Sequence, residues 1–224
     1  LSSYKAPAVG TTAAAETEVF NNKKFNAPNA ADNTKSGLAT TADGTIAYYP
    51  VSGNYDFWGY RVDDAVAGDP VVKLVNDAGD EVAADQATKR VVDITIDGSQ
   101  DIMAGKAVPS TDEVTKLGNY ADNFYSAYAA RKGVQPNITF NHLLTRFTFE
   151  VRAGSKATAG LPAGGNTDAV KVTGVSVDSK TTGTLTVAYT GATKEAAELL
   201  TFTGDASALT LKQRDAALAD NNAP

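Results

Sequence analysis

Residues 137–152 read NITFNHLLTRFTFEVR, and the parity of their apolar positions decides the fold. In the first half these positions are even: Ile138, Phe140 and Leu144. In the second half they are odd: Leu143, Phe147, Phe149 and Val151. Side chains alternate faces along a strand with a period of two, so each half reads as a half-buried strand. The phase flips around His142, Leu143 and Leu144. A β-bulge, or a strand crossing from one sheet to its partner, produces such a flip. The stretch is therefore expected to be an interior strand of a β-sandwich. Its core members would be Phe140, His142, Leu144, Phe147, Phe149 and Val151. Burial of Phe147 and Phe149 is the condition on which this reading, and the functional reading built on it below, both stand.

Upstream, residues 45–62 (TIAYYPVSGNYDFWGYRV) hold six aromatics in eighteen positions, interrupted by Pro50 and a Ser-Gly-Asn turn. Pro50 is tolerated at a strand end or edge but not in a central ladder. Residues 55–62 are then expected to form a strand with aromatics on both faces, the mark of a central strand. Phe57, Trp58 and Tyr60 are assigned to the core, including the single tryptophan. A short strand follows at 71–75, with a turn at 76–80. Residues 91–97 alternate, with Val92, Ile94 and Ile96 inward and Asp93, Thr95 and Asp97 outward. Ser110 and Glu113 have capping-box spacing. Leu117, Tyr120, Phe124 and Tyr128 beyond them recur at helical spacing, predicting a short helix that leans on a sheet through its tyrosines.

Residues 1–45 read as loop, with a short hairpin around Asn21 and Asn22. Residues 154–168 are small, polar and glycine-rich, which is linker chemistry. They are expected to separate an N-terminal β-sandwich domain, residues 1–155, from the start of a second β domain, residues 168–224. That second unit is thin for an independent sandwich, so it is either incomplete or folded against the first. Within it, a bulge is expected at Thr173 and Gly174 and a turn at 180–183. Leu185, Val187 and Tyr189 alternate after that turn, and weaker strands follow at 200–202 and 209–211. Strands every 8 to 12 residues, punctuated by Gly, Asn and Asp, describe an all-β sandwich with Greek-key or meander connections.

The 224 residues carry a formal charge of −6 and are 42% hydrophobic. That balance supports a real core and speaks against binding nucleic acid, where clustered cations must neutralise phosphates. It is equally unsuited to an anionic membrane surface. With no cysteine in the chain, disulfides, thiolate metal sites and cysteine catalysis are excluded. No apolar run has the roughly 18–20 residues a membrane helix needs. Leu1, Ser2 and Ser3 open without a basic start or an apolar segment, so an exported form would be mature or trimmed.

Chemistry-bearing constellations are sparse. The single histidine, His142, has no GxSxG-type nucleophile elbow to serve, and reads as a strand residue bonded to backbone or to a tyrosine. Asp93, Asp97 and Asp101, or Asp77, Asp80 and Glu81, offer oxygens for calcium but lack an EF-hand loop. They read as outward strand carboxylates and solvated turns. Asp56, Asp63 and Asp64 beside the aromatic cluster could serve a glycosidase, although an aromatic-rich strand is more often core than sugar platform. Residues 160–165 lack the Lys-Ser/Thr of a phosphate loop, and the sequon at Asn137 and Thr139 reads as accidental. No catalytic, cofactor-binding or metal site is assigned, and no cofactor is expected.

Three segments together resemble one family. Residues 46–50 (IAYYP) and 55–60 (YDFWGY) are similar to its paired aromatic strands. Residues 100–104 (QDIMA) are similar to its Asp-Leu-Met-Tyr-Ala segment, with Gly105 where an aromatic is more typical. Residues 137–151 are similar to its strand with Phe-x-His-x-Leu and Phe-x-Val. In this order and spacing they resemble the fimbrillin-like major and minor fimbrial subunits of Bacteroides-type bacteria, over about residues 45–190. The family's first strand before residue 20 and most of its second domain are not recognisable. The resemblance implies tandem transthyretin-like sandwiches and a lipoprotein precursor exported to the outer membrane. It also implies assembly into an adhesive surface pilus by strand exchange, with other fimbrial subunits and surface receptors as partners. The alternative is a surface carbohydrate-binding module of a glycan-uptake system, motivated by the aromatics at 48–60.

Overall fold

The computed structural model describes residues 2–5, 18–26, 39–46, 48–49, 53–63, 65–118, 125–149 and 175–209. The fold is mostly β, built from antiparallel sheets with a few short helices. Its organising strand is β5 (Tyr55–Arg61). Tyr55, Phe57 and Trp58 on β5 are buried, so the strand needs apolar cover on both faces and partners on both edges. It has both. β1 (Ser2–Lys5) pairs along one edge, and β8 (Met103–Lys106) along the other. The first sheet runs β2-β1-β5-β8-β9, with β2 at Glu18–Phe20 and β9 at Asn141–His142.

The second sheet runs β11-β10-β7-β6, formed by Leu200–Leu209, Val177–Tyr189, Lys89–Thr95 and Val72–Val75. β6 turns back at 76–80, where Asn76 N donates to Asp80 O at 3.0 Å and Gly79 adopts φ +95°. That left-handed backbone carries almost no steric cost in glycine. On β7 and just beyond it, Val92, Ile94 and Ile96 are buried while Asp93, Thr95 and Asp97 are exposed, as their alternation predicts. On β10, Leu185, Val187 and Tyr189 point to the same core. Trp58, Ile102 and Ala104 from the region of the first sheet meet Val92, Ile94, Leu185 and Val187 from the second in one buried cluster. At roughly 1.5–3 kcal/mol per large apolar side chain, this shared interior is the main force joining the sheets.

The opposite face of β5 has its own cover. Tyr55 and Phe57 pack with Leu117, Tyr125, Ala129 and Val134. Helix α1 (Thr111–Leu117) starts with the expected reciprocal cap: Glu113 N donates to Ser110 Oγ at 3.3 Å, and Ser110 N to Glu113 Oε2 at 2.8 Å. Such a cap contributes about 1 kcal/mol. The helix stops at Gly118, whose φ of +53° departs from helical backbone. A second helix, α2 (Ala127–Arg131), begins anew at Ser126, which accepts from Ala129 N at 3.1 Å. Tyr125 and Tyr128 do lean on the sheet, while Tyr120 and Phe124 lie outside the described residues. A last helical turn, α3 (Ala196–Leu199), buries Leu199.

Several expectations are corrected. Residues 137–149, the described part of the stretch at 137–152, are not an interior strand. They contribute the two-residue β9, paired to Met103 and Ala104, and an isolated bridge between Ile138 and Ala107. Phe140, Phe147 and Phe149 are 41%, 69% and 55% exposed. His142 is also exposed, Leu144 is only half-buried against the core, and Val151 lies outside the described residues. The physical reason lies in two glycines. Gly59 and Gly105 are cross-strand partners, and a Cβ on Gly105 would meet Thr139 O at 2.2 Å. A Cβ on Gly59 would meet the Phe140 ring at 2.7 Å. Residues 138–140 therefore lie across this glycine window, and only Asn141 and His142 remain to extend the ladder.

Residues 177–209 are folded against the first unit, one of the two arrangements left open for them. β10 lies between β7 and β11 and shares the core of the first sheet. The turn expected at 180–183 is instead continuous strand. A register shift between Lys180 and Thr182 absorbs the irregularity, and Gly183 lets the backbone of Thr201 approach. Residues 200–202 belong to the same strand, β11, that ends at Leu209. The linker at 154–168, the bulge at Thr173 and Gly174, and Leu211 lie outside the described residues. Near the N-terminus, β2 pairs with β1, whereas β3 (Phe25–Asn26) pairs with β4 (Thr40–Thr41), so no hairpin forms around Asn21 and Asn22. The short strand β1, within a segment expected to be loop, completes one side of β5.

Candidate functional site

The most distinctive surface begins at β9, an edge of the first sheet among the described residues. Beyond it, residues 145–149 run on without a ladder partner among the described residues, and place Phe147 and Phe149 at one parity in solvent. An edge strand offers N–H and C=O groups to another chain, and adjacent exposed aromatics add apolar area to any strand that pairs there.

The rim of this edge is polar. His142 Nδ1 lies 2.7 Å from Asp101 Oδ1, and Asp101 N donates to Asp63 Oδ2 at 3.0 Å. Arg61 Nε donates to the other oxygen of Asp63. The side chains of His142 and Asp101 are 65% and 40% exposed. A solvated pair of this kind contributes at most about 1 kcal/mol, so it decorates the edge without locking it. The expected partner of His142, backbone or tyrosine, is here a carboxylate.

The other carboxylates considered for chemistry are occupied separately. Asp56 Oδ2 lies 3.2 Å from Lys106 Nζ, and Asp93 accepts from Lys73 Nζ at 2.6 Å. Asp97 accepts from Ser99 N, Asp77 from Thr88 Oγ1, and Asp80 from Asn76 Nδ2. Glu81 lies beside Val75 at an isolated bridge, and Asp64 lies outside the described residues. Among the described residues, no three His, Asp or Glu side chains gather closely enough to hold a metal ion.

Phe57 and Trp58 are 4% and 5% exposed, and Tyr60 is half-buried with its hydroxyl donating to Asn22 Oδ1. Trp58 meets the Tyr189 ring edge-on at 6.0 Å, so it presents no flat face to solvent. On the far side of β5, burial pushes the Tyr49 hydroxyl up to about 12 and raises Tyr125 as well. Desolvation of the phenolate is the leading cause in both.

Reading the chain for acids, bases and metal ligands passed over Gly59, Gly105 and Lys106. The glycines had a signal: glycine inside a strand marks close approach of another backbone. Lys106 had none, since its neighbours Asp56, Gly191, Trp58 and Tyr189 meet only after folding. Compared with known families, with characterised proteins and with solved structures, the chain matches none.

Proposed function

We propose that the chain is a non-enzymatic subunit of a cell-surface filament, a fimbrial subunit or accessory adhesin that assembles by β-strand exchange. The observation that carries this reading is the edge at β9 followed by exposed Phe147 and Phe149. These aromatics were expected inside, and their exposure removes the interior-strand argument on which the filament reading first stood; what supports it instead is that a strand added from another copy would cover them. Main-chain hydrogen bonds would supply affinity and alternate side chains specificity. A head-to-tail contact of this type does not close on itself, so it grows a filament.

The three segments that resemble fimbrillin-like proteins are the second support. In this reading the domain is a transthyretin-like Greek-key sandwich, exported as a lipoprotein to the outer membrane. Its partners are other subunits and surface receptors. Burial of Trp58 speaks against the carbohydrate-module alternative, which now rests on the exposed Tyr48 of the aromatic cluster.

Immunogold labelling of cells expressing the chain is the direct test. Labelled surface filaments are expected, and their loss in a Phe147→Ser, Phe149→Ser double variant that remains folded. Label confined to the cell interior overturns the proposal.

A further inference from the structure

Lys106 and Asp56 form an ion pair that is largely out of solvent. Nζ lies 3.2 Å from Asp56 Oδ2, and the two side chains are only 10% and 28% exposed. Lys73 and Asp93, by comparison, pair at 40% and 57% exposure. The register of the sheet dictates the sheltered pair. Trp58 on β5 is the cross-strand partner of Lys106 on β8, and Asp56 is the preceding residue of β5 on the same face. Lys106 and Asp56 are therefore diagonal neighbours, within reach of long side chains.

Their shared face is the one that carries Trp58 into the core between the sheets. The rings of Trp58 and Tyr189 flank Lys106 Nζ, at 5.2 and 5.8 Å from their centroids. Nζ also donates to Gly191 O at 2.8 Å, which fixes it against the carboxylate. Burial costs a charged pair its hydration, and the neutral pair does not bear that cost. A lysine amine desolvated by apolar walls is an activated nucleophile. An electrophilic carboxyl already in contact replaces a bimolecular encounter with an intramolecular one.

We propose that Lys106 and Asp56 condense into an intramolecular isopeptide bond that ties β8 to β5. A proton passes from the ammonium to the carboxylate, giving an amine and a carboxylic acid. The Nζ lone pair then attacks Asp56 Cγ. An Nζ–Cγ bond forms, the Cγ–OH bond breaks, and the hydroxyl leaves as water with a proton from Nζ. The ion pair thus becomes one amide and one water, with no oxidant, metal or second substrate. Lys106 and Lys194 line a cavity of about 180 Å³, which receives the released water. The bond stands independently of filament assembly, since neither Phe147 nor Phe149 takes part in it.

Intact mass spectrometry of the full chain, denatured after purification, reads the bond directly. A mass one water below that of the linear chain is expected, with the full mass restored in Lys106→Arg. In a tryptic digest, residues 36–61 and 91–116 should appear as one linked peptide, uncut after Lys106 because its amine is blocked. Asp97, which precedes Gly98, also loses water when it closes to a succinimide, and the linked peptide separates the two sources. The full linear mass, or a water loss with residues 36–61 and 91–116 unlinked, overturns the proposal. The unmodified chain carries the test if Lys106→Arg fails to fold.

Discussion

β5 and residues 138–149 carry similar patterns of aromatic residues at alternate positions, yet one is interior and the other forms a rim. In β5, Tyr55 and Phe57 face one apolar cluster and Trp58 the other, while β1 and β8 saturate both edges. Residues 138–149 have one short ladder, a crossing over two glycines, and then Phe147 and Phe149 in solvent. Alternation states which side chains share a face. It does not state whether anything covers that face. Cover on both sides of β5 comes from distant parts of the chain: β10 on one side and α2 on the other.

The contrast is tested most strongly by truncating its two aromatic sets. Phe57→Ala should cost about 3–5 kcal/mol in urea unfolding, the range for removing a buried aromatic. A loss below about 1 kcal/mol would place Phe57 outside the core.

The glycine window comes next. Gly105→Ala should cost about 1–3 kcal/mol, because its Cβ meets the backbone of Thr139. Gly59→Ala should cost less, since the Phe140 ring it meets is 41% exposed and can swing away. Equal stability of Gly105→Ala and the unmodified chain would remove residues 138–140 from the sheet surface.

A smaller effect should appear at alkaline pH. The folded chain holds the Tyr49 proton up to about 12, against an ordinary 10.0. Its contribution to stability is therefore complete below about pH 10 and is lost as pH rises from there through the folded value. Tyr125 acts in the same direction. In a pH series of urea midpoints, Tyr49→Phe should flatten the fall above pH 10; an unchanged slope would mean that Tyr49 is solvated in the folded chain.

The smallest effect belongs to the rim. Phe147→Ala and Phe149→Ala should each change monomer stability by no more than about 0.5 kcal/mol, while reducing self-association in sedimentation velocity. A loss comparable to that of Phe57→Ala would return these residues to the core and break the contrast.

Much of the second sheet was legible because its signals are local. The alternation at Val92, Ile94 and Ile96 and the cap at Ser110 need only neighbouring residues to be interpreted. The turn wrongly expected at 180–183 failed because a glycine that ends a strand and one that admits a neighbouring backbone look alike in one dimension. Whether residues 168–224 fold against the first unit was left open for a related reason. A glycine-rich stretch reports local composition, while membership of a sheet depends on which strand is met afterwards, here β7. Of the polar sites, the carboxylates were visible individually but their partners were not: Lys106 with Asp56 and His142 with Asp101 are long-range pairs.

By itself the chain's order of residues determined an all-β character, the doubly buried β5, the inward face of β7 and the start of α1. These rest on periodicity and on capping, which act over a few residues. Only the tertiary structure decided that residues 177–209 join the first core, that Phe147 and Phe149 stay outside it, and that two lysines share one cavity wall. Those outcomes depend on contacts between residues far apart in the chain, where packing and the space left by Gly59 and Gly105 select among arrangements that local pattern leaves equal.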